Sequence, residues 1–344
     1  MALRYWAMSV GVLFTGISSH LYAHSIQQRV GSYEGSDGRD RQRLALDLGL
    51  DFANHGGAIT NSMCSLSMTR DFYQNTRAAS DDSKNERQMY DGGQRVNDAV
   101  SATVSETLNR ITELRLLGAA ARDDIVSSRT AGAGFSQWLI HETLQASFDV
   151  SRTFVEKPAQ EILDVDAEVV TLPPNVDSTG VTIALKHLMT PSTITQLSYT
   201  QIVASDRPPT HSIGAGLRQY IRPADGALHV NVARMLNRGP IGTDTRKGQV
   251  SAWQGEAAWL QNLWRGALAR VGYRAYVEDE TTRATESEKV YGSDTVSFNI
   301  AQELPKGSLS GQGQPLTISA GASRYLNNDQ LSASTYEMGL LARF

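Results

Sequence analysis

Arg218, Arg222, Arg270 and Arg274 fall in two pairs, each spaced by four residues within a segment of alternating polarity. Along a β-strand that spacing puts both members of a pair on one face. A column of guanidinium groups on a wall would hold or pass anions, because the planar fork pairs with carboxylate and phosphate. Glu278 continues the second column, and Asp47 and Asp51 stand in the same kind of position in an early segment, so the set is of mixed sign. Charged residues on such a wall are usually just solvated or paired across neighbouring strands, and the basic ladder is the alternative to that reading. The other conceivable chemistry is general-base catalysis centred on His211, which stands beside Ser212 and close to Asp206. Asp164, Asp166 and Glu168 could hold calcium, yet the stretch lacks the glycine and terminal glutamate of a recognised loop. Zinc-ligand spacings, phosphate loops and nucleophile elbows do not occur. The reading therefore nominates no metal and no cofactor and expects a protein that is not an enzyme. A surface enzyme built on His211 is the weakest alternative.

The elements that must carry these charges are strands. Leu44, Leu46, Leu48, Leu50 and Phe52 alternate with Ala45, Asp47, Gly49 and Asp51; a helix would scatter the leucines around its axis. Ile213, Ala215 and Leu217 alternate with Gly214, Gly216 and Arg218, and Ala269, Val271, Tyr273 and Ala275 with Arg270, Gly272 and Arg274. About fifteen such segments follow one another, and a weaker one, Ile26 to Tyr33, would make an even sixteen. They run to about 10–14 residues, long for a globular strand and right for a tilted strand crossing a bilayer.

Connections sort into two kinds. Tight turns are predicted at Asn109-Arg110, Glu142-Thr143, Thr190-Pro191-Ser192, Pro223 to Gly226 and Trp264-Arg265-Gly266. Long polar loops are predicted at Gln74 to Gly93, Lys157 to Ser178, Arg238 to Lys247 and Asp279 to Asp294. Short turns on one side and long loops on the other are the pattern of an outer-membrane barrel. The expected fold is all-β: a transmembrane antiparallel β-barrel, most simply of 16 strands, with 14 the alternative. Trp253, Trp259 and Trp264 read as interfacial girdle residues or lipid-facing packing.

Composition agrees. The 344 residues carry 36 acidic and 32 basic side chains, a net charge of −4, 40% apolar residues and one cysteine. That excludes the basic footprint of a nucleic-acid binder and a disulfide scaffold. Residues 1–23, with Arg4 ahead of an uncharged stretch from Ala7 to Ser19 and a small residue at Ala23, are expected to form a signal peptide, leaving 24–344 as the barrel. In an oxidising compartment Cys64 has no partner in the chain for a disulfide.

Tyr336, Met338, Leu340, Ala342 and Phe344 alternate to the last residue. This resembles the terminal signal strand of bacterial outer-membrane proteins, which implies recognition of Tyr336, Met338, Leu340 and Phe344 by the barrel-assembly machinery. The runs Gln196-Leu197-Ser198-Tyr199-Thr200, Leu217-Arg218-Gln219-Tyr220, Gly226-Ala227-Leu228-His229-Val230 and Gly31 to Arg39 are similar to a proteobacterial outer-membrane barrel family known as a domain of unknown function. The chain departs from that family where Asn75 to Ser80 replaces a Ser-Gly-Ala-Ser-Pro stretch. The resemblance implies a barrel in the cell outer membrane, with periplasmic redox proteins as associated partners. The expected partners are thus membrane lipid, the assembly machinery and conceivably a periplasmic or lipoprotein partner, with a monomeric barrel. The leading functional expectation is a channel or conduit for small polar solutes; the alternative is a barrel sheath around a partner, possibly one for electron transfer.

Overall fold

In a computed structural model the alternating segments become sixteen strands closed into one barrel. The structure describes residues 23–35, 39–52, 59–75, 95–108, 111–122, 126–156, 160–163, 169–172, 175–205, 207–238, 249–281, 288–304, 316–327 and 332–343. The wall strands of the first half are β1 (Ala23–Gly35), β2 (Arg39–Phe52), β3 (Ile59–Asn75), β4 (Arg95–Leu108), β5 (Thr112–Arg122), β6 (Ser127–Ile140) and β7 (Leu144–Glu156). A separate two-stranded hairpin, β8 (Gln160–Leu163) and β9 (Val169–Leu172), interrupts the next connection. The wall resumes with β10 (Asn175–Thr190), β11 (Thr193–Ala204), β12 (Arg207–Ile221), β13 (Gly226–Arg238), β14 (Gln249–Trp264), β15 (Ala267–Thr281), β16 (Glu288–Leu304), β17 (Leu316–Asn327) and β18 (Ser332–Arg343).

Closure is made by the weakest predicted strand. β1 pairs antiparallel with β18 from Ser25 opposite Arg343 to Gly35 opposite Ala333, and with β2 on its other side. The physical demand is strict, because an unpaired amide in hydrocarbon costs several kcal/mol and an open edge would expose a row of them. Ile26, Gln28 and Val30 therefore sit in the wall although their alternation is interrupted by a glutamine.

Five short turns predicted from sequence fall on one rim, between β4 and β5, β6 and β7, β10 and β11, β12 and β13, and β14 and β15; Asn109-Arg110 itself lies outside the described residues. Gly266 has φ +76°, a left-handed conformation that glycine adopts without penalty, and this reverses the chain in two residues. Calcium candidates Asp164, Asp166 and Glu168, and the proposed signal peptide apart from Ala23, also lie outside the described residues. The predicted loop Asp279 to Asp294 is shorter than expected: β15 and β16 stay paired out to Thr281 opposite Glu288. Ladder hydrogen bonds need no apolar side chain, so a strand continues past the lipid band where the side-chain pattern has turned polar.

The outward face is apolar, with Leu116, Ile213, Val296 and Met338 exposed by more than half. On β14, Trp253 lies beneath Arg234, whose guanidinium carbon is 5.2 Å from the ring centre. Trp264, at the opposite rim, donates its indole N–H to Gln302 at 2.6 Å. The eleven residue steps from one to the other, at about 3.4 Å each and a tilt near 40°, span about 28 Å, close to the apolar band of roughly 25 Å in such barrels. Both are girdle residues, as their sequence positions suggest.

Candidate functional site: the inner wall

Cross-strand partners share a face, so the register identifies the inner wall. Arg29 on β1 is inserted between Asp47 of β2, at 2.8 Å, and Glu337 of β18, at 3.7 Å. Asp47 also accepts a hydrogen bond from the Ser67 hydroxyl at 2.5 Å. One guanidinium thus ties together the three strands at the seam where the chain's ends meet. Nearby, Asp71 on β3 is almost wholly buried between Arg41 and Arg43 of β2; Arg43 approaches it at 2.8 Å and 3.1 Å. Two cations on one desolvated carboxylate make a charge-assisted clamp.

A third ion pair crosses an intervening strand. Arg115 on β5 reaches Asp149 on β7 at 2.9 Å, with Gly134 of β6 between them in register. A β-carbon on Gly134 would lie 1.9 Å from the Asp149 carboxylate, so the contact exists because that position has no side chain.

The predicted arginine column is broken up by pairing. Arg270 and Arg274 do project from one face of β15, and both donate to Glu256 of β14, at 2.7 Å and 3.2 Å. Arg222 is not on the wall. Pro223 cannot donate to the ladder, so β12 ends at Ile221 and Arg222 opens a 3₁₀ turn with its side chain in solvent. Arg218 is on the inner face of β12, opposite His229 of β13 and Ile194 of β11. It is exposed and makes no ion pair among the described residues. Asp51 and Glu278 are placed on β2 and β15, in register with Met63 and Ala252; their side chains lie outside the described residues.

Lys186 on β10 belongs beside Arg218, a grouping the sequence does not reveal. It is exposed, opposite Gln145 and Gln196, with no carboxylate partner among the described residues. Gln196 in turn faces Gly216, two residues from Arg218. Two strand spacings of about 4.8 Å and a two-residue offset put the Cα atoms of Lys186 and Arg218 about 12 Å apart. The wall between them is uncharged: Thr182 and Thr200 share a hydrogen bond at 3.0 Å, and Asn231 lies over Gly216, while the carboxylates opposite Thr182 and Asn231, Asp149 and Glu256, are taken up by their own arginines.

His211 faces outward. Its Nδ1 is hydrogen-bonded to the Tyr199 hydroxyl at 2.8 Å on the exterior of β11 and β12, and Asp206 lies outside the described residues. Tyr336, Met338 and Leu340 are exposed on the exterior of β18; Phe344 lies outside the described residues.

The fold has solved relatives. No family model matches the chain, and no curated protein does. Among solved structures it is similar to Pseudomonas aeruginosa OccK5 (OpdH), with a TM-score of 0.50 and 9% identity over 92% of this chain and 96% of that one. It is similar to Pseudomonas aeruginosa OccK1 (OpdK) at a TM-score of 0.50 and 9% identity, over 93% and 97% of the two chains. A bacterial polysaccharide outer membrane secretin gives a TM-score of 0.53 at 9% identity, over 94% and 99%. At such identity the likeness is one of fold, and the fold is that of outer-membrane barrels. These neighbours are not the family of unknown function that the short motifs resemble.

Proposed function

We propose that this chain is a monomeric outer-membrane channel that passes small polar solutes, with Lys186 and Arg218 favouring anions. One observation carries the reading: a closed sixteen-stranded wall whose inner face is hydroxyl, amide, glycine and charge. Barrels of this strand number enclose water. The OccK barrels that share its fold are outer-membrane channels, which supports the reading at the level of fold.

The orientation follows from the connections, with the two longest, between β3 and β4 and between β7 and β10, outside the cell and the five tight turns in the periplasm. Residues 1–23 serve as the signal peptide; β1 begins at Ala23, so cleavage there would leave the closing strand in place. The exterior stripe Tyr336, Met338 and Leu340 of β18, with Phe344 beyond it in the sequence, is read by the barrel-assembly machinery. The reaction chemistry of an enzyme has no part in this account.

Liposome swelling tests it. Vesicles containing the folded barrel should swell in small neutral sugars and amino acids, and faster in gluconate than in lysine salts of matched size. Vesicles as tight as protein-free ones would defeat the proposal. The alternative, a sheath around a periplasmic or lipoprotein partner, is distinguished by copurification from mild detergent: a stoichiometric second chain would favour the sheath.

A further inference from the structure

The exterior of the barrel carries a feature that a solute channel does not require. At the rim bearing the long connections, Arg70 of β3, Asp98 of β4, Arg122 of β5 and Arg129 of β6 lie side by side on the lipid-facing surface. Arg70 is held by Asp98 at 2.6 Å and 2.8 Å. Arg122 and Arg129 are exposed and make no ion pair among the described residues; Glu156, on the same face beyond Ser127 and accepting a hydrogen bond from that hydroxyl at 2.8 Å, brings the cluster to a formal charge of +1 from three guanidinium groups and two carboxylates. The same rim shows the contrasting arrangement on β7 and β10, where Arg152 is matched by Asp177 at 3.0 Å.

Below the cluster the surface is recessed. A groove of about 630 Å³ runs along the wall, floored by Leu46, Met68, Val100 and Ala120, with the charged groups at its head. It leads toward small exterior positions, Ala102, Gly118 and Ala131, that lie opposite one another on β4, β5 and β6. A β-carbon added at Gly118 would meet nothing within 4 Å. Gly118 lies four residues below Arg122 on β5, about 13 Å along the tilted strand and about 10 Å deeper in the hydrocarbon region. Arginines with no ion pair among the described residues, set above an apolar trough, match a lipid with an anionic head and an acyl tail, since guanidinium binds phosphate oxygens bidentately.

We infer that this face holds a phosphomonoester-bearing lipid of the outer leaflet, its phosphate on Arg122 and Arg129 and one acyl chain in the trough over Gly118. The inference rests on the membrane orientation given above and is independent of whether the lumen conducts. A doubly charged phosphomonoester uses both free guanidinium groups, whereas a phosphodiester headgroup carries a single charge.

The test is lipid retention measured by native mass spectrometry on the intact barrel, released from phosphatidylcholine nanodiscs. The nanodiscs are doped with bis-phosphorylated lipid A, with dephosphorylated lipid A, or with phosphatidylglycerol. The phosphorylated form should be retained about tenfold over each of the other two, the size of one or two charge-assisted contacts. Arg122→Gln combined with Arg129→Gln should remove that excess, while Arg152→Gln should leave it. Gly118→Leu, which fills the trough and keeps both arginines, should also reduce retention, and it serves if the double variant fails to fold. Equal retention of the three lipids, or an excess unchanged in both the double variant and Gly118→Leu, would overturn the inference. Bilayer conductance, read separately, reports on the channel and not on this site.

Discussion

Two stretches of the inner wall carry charge in opposite ways. From β18 through β1 to β7, and again across β14 and β15, each described ion pair spans neighbouring or next-neighbouring strands: Arg29 with Asp47 and Glu337, Arg43 with Asp71, Arg115 with Asp149, and Arg270 and Arg274 with Glu256. On β10 to β12, Lys186 and Arg218 project from a wall of threonine, glutamine and glycine with no such partners among the described residues. Paired charges spend their electrostatics on holding strands in register. Unpaired cations leave their field in the water, where a passing solute meets it. Charge on a barrel wall is therefore functional in proportion to how little of it is already satisfied.

Replacing Asp71 gives the largest effect. Asp71→Ala strands two arginines against a buried position and should lower unfolding stability by about 2–3 kcal/mol, below the usual 3–5 kcal/mol for a buried pair because both arginines keep water contact. Denaturant titration in detergent, followed by the gel shift between folded and unfolded barrel, reads it. An unchanged midpoint would mean the clamp is ornamental.

Charge reversal on the other stretch should leave stability within about 0.5 kcal/mol, as for other surface changes, and alter conduction instead. Lys186→Glu with Arg218→Glu is expected to shift the zero-current potential in a salt gradient from anion-favouring to cation-favouring. A potential indifferent to the double change would remove both residues from the conduction path.

A smaller shift sharpens the contrast from the paired side. Glu256→Gln frees Arg270 and Arg274, and anion preference should rise even though no cation has been added. If it does not, pairing is not what silences those arginines.

The smallest effect lies in the tight turns. Asp225 accepts hydrogen bonds from the Tyr220 hydroxyl at 2.6 Å and from the Asn262 amide at 3.0 Å. These bonds hold its carboxyl below the ordinary aspartate range, the Tyr220 contact contributing most. A depressed folded value means the stabilisation is complete above the unfolded value near 3.9 and is lost as pH falls through the folded one. Tyr220→Phe should flatten that acid limb slightly and leave stability at pH 7 nearly unchanged. An acid limb identical in the variant would remove the hydrogen bond from the account.

The barrel was legible because lipid imposes a period of two on every strand and the turns carry their own chemistry, as at Pro223 and Gly266. The pairing of charges was not. Register depends on how many residues each connection consumes, and a shift of one residue exchanges the faces. Arg29 could not be matched to Glu337 because the two lie on strands from opposite ends of the chain, and its match to Asp47 waits on the β1–β2 register. Arg222 kept the right parity for the wall and lost its place to a proline one residue on. Lys186 and Arg218 come together only through Gln196 and Gly216 on the strands between, a relation that alternation does not encode.

Current recorded across a planar bilayer tests the central claim most directly. The folded barrel should give discrete, ohmic single-channel steps in symmetric salt, with a modest preference for the anion in a gradient. Inserted barrels, verified as folded by their gel shift, that pass no current would contradict the account.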